Sequence, residues 1–456
     1  MNLLVKDKCF YKKMAVIAIP ISLQSMITIG VNMTDTVMVG KLGETSLSAT
    51  ALANQFVNIY QICCMGIAMG ASVLTSRFWG MQDITSLKKT ITLMLRLCIV
   101  LAVLFMLPTI LIPQLLMRMY TNDSAVIAQG VQYFKWMVYC YFLQGMTMTC
   151  TIVLRSVGQV NFPLFTSIGS FFVNILFNYV FIFGKLGVPR MEVEGAGVGT
   201  LIARVFEFSL ICGYFLFVDR KIGYRLKDLR MKCNSLIKDY VSISIPVFVS
   251  DSLLALGTSA VAMVMGRIGT GFVSANSITV VTQQLTTVII QGICHASCIM
   301  TGHTLGQGER EKAQQQAWTF LILGLVVGIL GGGLIKVLSR PIIGLYNITP
   351  ETAQIAGELM DAIAFIVIFQ SMNSILTKGV LRGGGDTKFL MVADIIFLWA
   401  ASLPLGILAG LVWHLDAFWI YVFLKIDQIC KSIWCVFRLR SGKWIKTFSK
   451  EKMNHA

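Results

Sequence analysis

The sequence predicts an all-α, polytopic membrane protein of about twelve transmembrane helices, arranged as two parallel six-helix repeats. Three observations carry this. The chain has 456 residues, 56% hydrophobic and 13% charged, with a mean hydropathy of +0.74; soluble domains carry about 25% charged residues. Apolar runs of roughly 20 residues recur, each long enough to cross a hydrocarbon core about 30 Å thick. They are too long and too uniformly apolar for barrel strands, so the spans are helices. Finally, the second half repeats the first: with the numbering shifted by 226, "AIPISLQSMITIGVNMTDTVMVGKLG" lies over "SIPVFVSDSLLALGTSAVAMVMGRIG" without a gap.

The elements follow in order. Helix α1 (14–38) starts directly after Lys12 and Lys13, with no cleavable signal peptide expected before it. It carries Pro20, which removes a helix hydrogen bond and kinks the chain. Next come α2 (48–76), α3 (90–112) and α4 (127–150), the last leading to the turn "LRSVGQ". Helix α5 (161–184) contains "FFVNILFNYVF", and α6 (194–218) opens on "EGAGVGT", whose three glycines permit close helix approach. The polar stretch "DRKIGYRLKDLRMKCNSLIK" (219–238) divides the halves. Then α7 (238–264) echoes α1, with Pro246 over Pro20, followed by α8 (274–302), α9 (314–336), α10 (352–377), α11 (388–411) and α12 (414–437).

The repeat persists beyond its first helix. Gly40 meets Gly266, Lys41 meets Arg267, Gly66 meets Gly292, Gly80 meets Gly306 and Tyr120 meets Tyr346; at an offset of 227, "VLRSVGQVNF" lies over "VLRGGGDTKF". An even number of spans per unit gives both units the same orientation. The expected organisation is an N-terminal six-helix lobe (1–218), a cytoplasmic linker (219–238) and a C-terminal six-helix lobe (239–456).

The formal charge of +16 suggests nucleic acid only until it is placed. With the N-terminus inside, 26 Lys/Arg fall in the cytoplasmic tails and loops and seven outside. This is the positive-inside asymmetry. It puts both termini in the cytoplasm of a multi-pass cell-membrane protein and assigns the basic charge to topology and anionic lipid. The twelve Cys residues fall mostly within spans and read as small buried hydrophobes, not a disulfide framework. "CHASC" (294–298) has metal-ligand residue types but no second ligand cluster, so it reads as helix packing. "RGGGDTK" lacks the spacing of a phosphate-binding P-loop, and the sequence has no H-E-x-x-H and no paired Asp-rich motifs. An enzyme is not expected. A transporter built this way is driven by an ion gradient.

The chemistry is concentrated in a few intramembrane polar residues, which are costly and generally face a partner or a cavity. Asp35 lies in the outer part of α1, with Val261 at its repeat-equivalent position. An acid present in only one copy of a duplicated scaffold points to one working cation site in the N-terminal lobe. Asn174 and Asn178, four residues apart, share one face of α5, and Thr200 adds an oxygen beside the glycines of α6. Gln24, Asp251, Gln283 and Asp394 are candidate cavity or substrate residues, and Pro20 and Pro246 are candidate hinges. Among the remaining charges, Arg204 and Glu207 have the spacing of a local ion pair, as do Asp427 and Lys431. Asp361 falls near the outer end of α10, where water reaches it, and Asp394 has no obvious partner. Arg155 and Arg382, in the short turns after α4 and α10, have the placement of helix caps or lipid-phosphate anchors. The 24 Met and 28 Phe suit an adaptable cavity for lipophilic cations.

The proline-bearing first helix ending "TDTVMVGKLG", its echo "MGRIGTGFVSA", "VLRSVGQ", "VLRGGGDTKF", "NILFNYVFIFG" and the closing "RSGKW" resemble the multidrug and toxic compound extrusion (MATE) family over essentially the whole chain. The resemblance implies two six-helix lobes that alternate access, and a secondary antiporter exporting organic cations and other drugs against Na⁺ or H⁺, with no further cofactor. It implies a cation site at Asp35, Asn174, Asn178 and Thr200, no metal beyond Na⁺ there, lipid and lipophilic or cationic small molecules as partners, and a monomer. One family branch has a second Asp where this chain has Asn178. The other has acids in the seventh and tenth helices, where this chain has Leu254 and Ser371; Asp251 lies three residues before the first of these. Related folds also flip lipid-linked precursors, an alternative that calls for an Arg-rich cavity, whereas the spans here hold few basic residues.

Overall fold

The computed structural model describes residues 4–447 other than positions 345 and 347, leaving out the side chains of Thr270 and Leu285; Lys450 and Lys452 of the C-terminal basic cluster lie outside the described residues. Described regular structure is entirely helical. The helices are α1 Lys8–Gly40, α2 Glu44–Gly80, α3 Ile84–Leu111, α4 Ser124–Ser156, α5 Asn161–Phe183, α6 Glu192–Gly213, α7 Asn234–Ile268, α8 Thr270–Gly306, α9 Arg310–Ile343 and α10 Pro350–Ser374. Among the described residues eleven helices are long and apolar enough to cross a membrane.

Most helices overrun the predicted spans by several residues. Apolar windows mark only the part that suits lipid, whereas a helix continues until its end groups are capped. Asp83 accepts a hydrogen bond from the Ser86 amide at 3.0 Å and so opens α3. Asp123 accepts from the Ala125 amide at 2.9 Å and opens α4.

The last two helices are irregular. Helix α10 runs on through wider π-type turns at Ile375–Leu381, and α11 (Thr387–Asp394) continues through Ile395–Ser402, Leu403–Ile407 and Leu408–Val412. Helix α12, expected as one span, is two pieces, Ala417–Leu424 and Ile426–Arg440. The break falls at Lys425, whose backbone leaves helical geometry (φ −121°, ψ 15°), beside the buried polar run Asp427, Lys431 and Ser432.

By packing, the chain divides into two compact units. One runs to Ser22, takes in Ser76–Met81 and resumes at Ile245; the other comprises Leu23–Thr75 and Gln82–Ser244. The division cuts α1 two residues after Pro20 and α7 one residue before Pro246. A helix lacking one backbone hydrogen bond is easiest to bend there.

The second unit is cored by α2, α3 and α4: Tyr60, Phe134 and Tyr141 are essentially inaccessible, and the Tyr60 hydroxyl donates to the Tyr141 carbonyl at 2.5 Å. The glycines of α6 do what their spacing predicts. A Cβ at Gly195 would lie 2.6 Å from the Phe181 backbone of α5, and one at Gly197 would lie 3.1 Å from Trp136 Cβ of α4. Nine of the twelve cysteines are buried and all are free thiols. Within "CHASC", Cys294 donates to the Ser374 carbonyl at 3.3 Å, a helix-packing contact.

Candidate cation and polar sites

Asp35 sits about six turns beyond the apolar start of α1 and is half-buried. Asn178 of α5 reaches it: its Nδ2 donates to Asp35 Oδ1 at 2.7 Å and to Asn174 Oδ1 at 3.2 Å. Asn174 and Asn178 are only 3% and 1% exposed. The four-residue spacing thus becomes a real relay, with one amide joining a carboxylate to a second amide. Gly199 of α6 makes room for it, since a Cβ there would lie 2.1 Å from Asn178 Oδ1 and 2.8 Å from its backbone nitrogen.

That Oδ1 is buried and has no hydrogen-bond partner among the described residues. An unmet buried acceptor costs about 1–3 kcal/mol, so it favours any cation or donor that reaches it. The Asp35 carboxylate with Asn174 Oδ1 and Asn178 Oδ1 gives one charge and two neutral oxygens. Such hard oxygens suit Na⁺, and the carboxylate alone suits H⁺. Thr200, next to Gly199, is half-buried and makes no side-chain hydrogen bond among the described residues. Arg204 of α6 pairs with Glu207 at 2.8 Å, as its i,i+3 spacing predicts.

The other predicted polar residues are not gathered here. Gln24 lies eleven residues earlier on α1, about 16 Å along the axis, where its Nε2 donates to Ser167 Oγ at 2.7 Å and its Oε1 accepts from Arg155. Asp251, Gln283 and Asp394 belong to the unit that resumes at Ile245. There Gln283 donates to Gln370 at 2.6 Å.

Several expectations for isolated charges need correction. Arg382 is neither a cap nor a lipid anchor: it is helical and 4% exposed, and it pairs with Asp251 at 3.0 Å. A buried guanidinium requires a counter-charge, and α7 supplies it. Arg155 lies within the last turn of α4, where its Nη2 donates to Gln24 Oε1. Asp394 has the partner it seemed to lack, Lys431 of α12 at 2.9 Å, and it accepts from Ser250. Lys431 also holds Asp427 at 3.0 Å, the i+4 pair its spacing predicts. Asp361 pairs with Lys336 at 2.5 Å on an exposed surface. The second bond of Lys431 spans 37 residues and left no local signal; a lysine within an apolar span was the available clue.

A sequence model of the MatE family matches residues 20–180 and 246–429. The chain is 24% identical over 441 residues to a Thermotoga maritima protein named probable multidrug resistance protein NorM, covering 95% of this chain and 93% of that one. It is 25% identical over 419 residues to the uncharacterized transporter YisQ of Bacillus subtilis, covering 90% of each. Among solved structures, the Vibrio cholerae MATE transporter VcmN in its bent form superposes with a TM-score of 0.86 at 16% identity, covering 95% of this chain and 97% of that one. At that identity the likeness speaks for the fold.

Proposed function

This chain belongs to the MatE family of multi-pass membrane transporters, and from that premise we propose that it exports lipophilic or cationic small molecules in exchange for a cation held at Asp35. It is a transporter and not an enzyme. Relatives named for multidrug resistance support the substrate class. The observation that carries the site is the Asn178–Asp35 hydrogen bond beside the unmet Asn178 Oδ1. One carboxylate with two neutral amide oxygens binds Na⁺ or a proton.

In the proposed cycle, the incoming ion neutralises Asp35 and takes the place of the Asn178 amide hydrogens. Asn178 then turns back on Asn174, and helix α1 relaxes about Pro20. Two lobes alternate access as α1 and α7 bend, with both termini and the 219–238 segment inside the cell. The working form is a monomer in the cell membrane, with lipid and drug as its partners and no nucleic acid.

The test is ethidium efflux from proteoliposomes with Na⁺ and pH gradients imposed separately. Stimulation by either gradient in the wild type, and by neither in Asp35→Asn, is the expected result. Efflux indifferent to both gradients overturns the reading.

A further inference from the structure

The two repeats hold the same arginine in different electrical company. Arg382 is bound by both carboxylate oxygens of Asp251, at 3.0 and 3.4 Å. Its counterpart at the offset of 227 is Arg155, while the counterpart of Asp251 at the offset of 226 is Ser25. The acid is therefore missing from the first repeat. The Arg155 Nη2 donates instead to Gln24 Oε1, and Gln24 is oriented by its own bond to Ser167. Both groups are neutral.

Other acids do not make up the charge. Among the described residues none lies within ion-pair distance of Arg155. Asp219 is bonded one turn further on, to Gln159 at 2.7 Å, and its oxygens also accept from the backbone amides of Ile222 at 3.0 Å and Gly223 at 3.4 Å. Glu207 is taken by Arg204, and Asp35 by Asn178. The Arg155 Nε is buried without an acceptor among the described residues. A guanidinium half-withdrawn from water and held only by an amide carries an uncompensated charge, which is costly within a membrane lobe.

We propose that Arg155, positioned by Gln24 and Ser167, is an anion-binding point that takes a carboxylate or phosphate group from outside the chain. The guanidinium offers the planar donors that such groups match, and the ligand supplies the counter-charge that Asp251 supplies in the second repeat. The source is the acidic group of a bound small molecule or the phosphate of an anionic lipid. The inference deepens the transport reading by adding a second recognised chemical group at a place separate from Asp35.

Binding to the full chain in lipid nanodiscs tests this without any ion gradient, so its failure is distinguishable from failure of coupled efflux. The probes are rhodamine 110, which bears a free carboxylate, and rhodamine 123, its methyl ester. Gln24→Glu builds the missing acid into the protein in the manner of Asp251; Arg155→Gln removes the cation. In phosphatidylcholine discs each variant should raise the ratio of the acid's Kd to the ester's by about tenfold relative to wild type. If lipid phosphate is the occupant, the ratio stays constant. In that case replacing a third of the lipid by phosphatidylglycerol raises the wild-type melting temperature and leaves that of Gln24→Glu unmoved. A Kd ratio and a lipid response that are both the same in wild type and Gln24→Glu overturn the proposal.

Discussion

Asn178 Nδ2 lies 2.7 Å from Asp35 Oδ1, so the one acid of the proposed N-terminal site is held by an amide that a neighbouring amide also engages at 3.2 Å. That bond ties the carboxylate of α1 to α5. Breaking it requires something that competes for Asp35, which is what a transported cation does. Asn178→Asp places a second acid against the first. If the coupling ion is H⁺, the two acids share a proton and the pH optimum of efflux moves upward. If the ion is Na⁺, the affinity for Na⁺ changes and its dependence on pH steepens. Efflux profiles against pH and against Na⁺ separate the two.

Gly199 is the space that lets Asn178 take this position. Gly199→Ala puts a methyl group where Asn178 Oδ1 and its backbone nitrogen lie, forcing α5 and α6 apart. The expected cost is about 1–3 kcal/mol of stability together with loss of gradient-driven efflux. Thermal melting and efflux of the same preparation check it. Wild-type efflux would show that the packing there is adaptable.

Lys431 bridges Asp394 and Asp427 while only 1% exposed. Lys431→Met leaves two buried carboxylates facing each other, and about 3–5 kcal/mol of stability should be lost. Lys431→Met combined with Asp394→Asn should recover part of it, because one uncompensated charge is then gone. Melting temperatures of the single and double variants measure the coupling.

The 219–238 segment is clasped to α3 by Lys88, whose Nζ donates to Asp228 at 2.9 Å and to the Gly223 carbonyl at 2.6 Å. Burial alone would raise the Asp228 carboxyl, but the Lys88 hydrogen bond and the Arg225 amide outweigh it and hold it below its ordinary value. A depressed folded-state pKa adds stability above the unfolded carboxylate pKa, and this is lost as pH falls through the folded one. Asp228→Asn should therefore cost about 0.5 kcal/mol at neutral pH and nothing once the wild-type carboxyl is protonated. Melting curves from pH 7 down to pH 3 follow the difference.

Much of this was legible in the chain because it is local or repeated. Span positions follow from apolar run length, the close contacts of α6 from "EGAGVGT", and the Arg204–Glu207 and Asp427–Lys431 pairs from helical spacing. The pairing of Asp35 with Asn178 was approachable because one lone acid and two amides stood out against apolar helices. What sequence did not carry was the long-range charge matching. Arg382 finds Asp251 across 131 residues and Lys431 finds Asp394 across 37. Nothing in either segment alone names the other, since ion pairing depends on which helix faces meet. The break in α12 was hidden for a similar reason: Lys425 interrupts a run whose average hydropathy still reads as one span.

The central claim is that the charge on Asp35 couples the ion gradient to export. Its most direct measurement is ethidium efflux by Asp35→Asn and wild type, reconstituted at equal density, under an imposed Na⁺ gradient at clamped pH and under an imposed pH gradient without Na⁺. The account predicts that at least one gradient drives wild-type efflux and that neither drives the variant, although the variant is expressed and folded. Gradient-driven efflux at the wild-type rate by Asp35→Asn would contradict it.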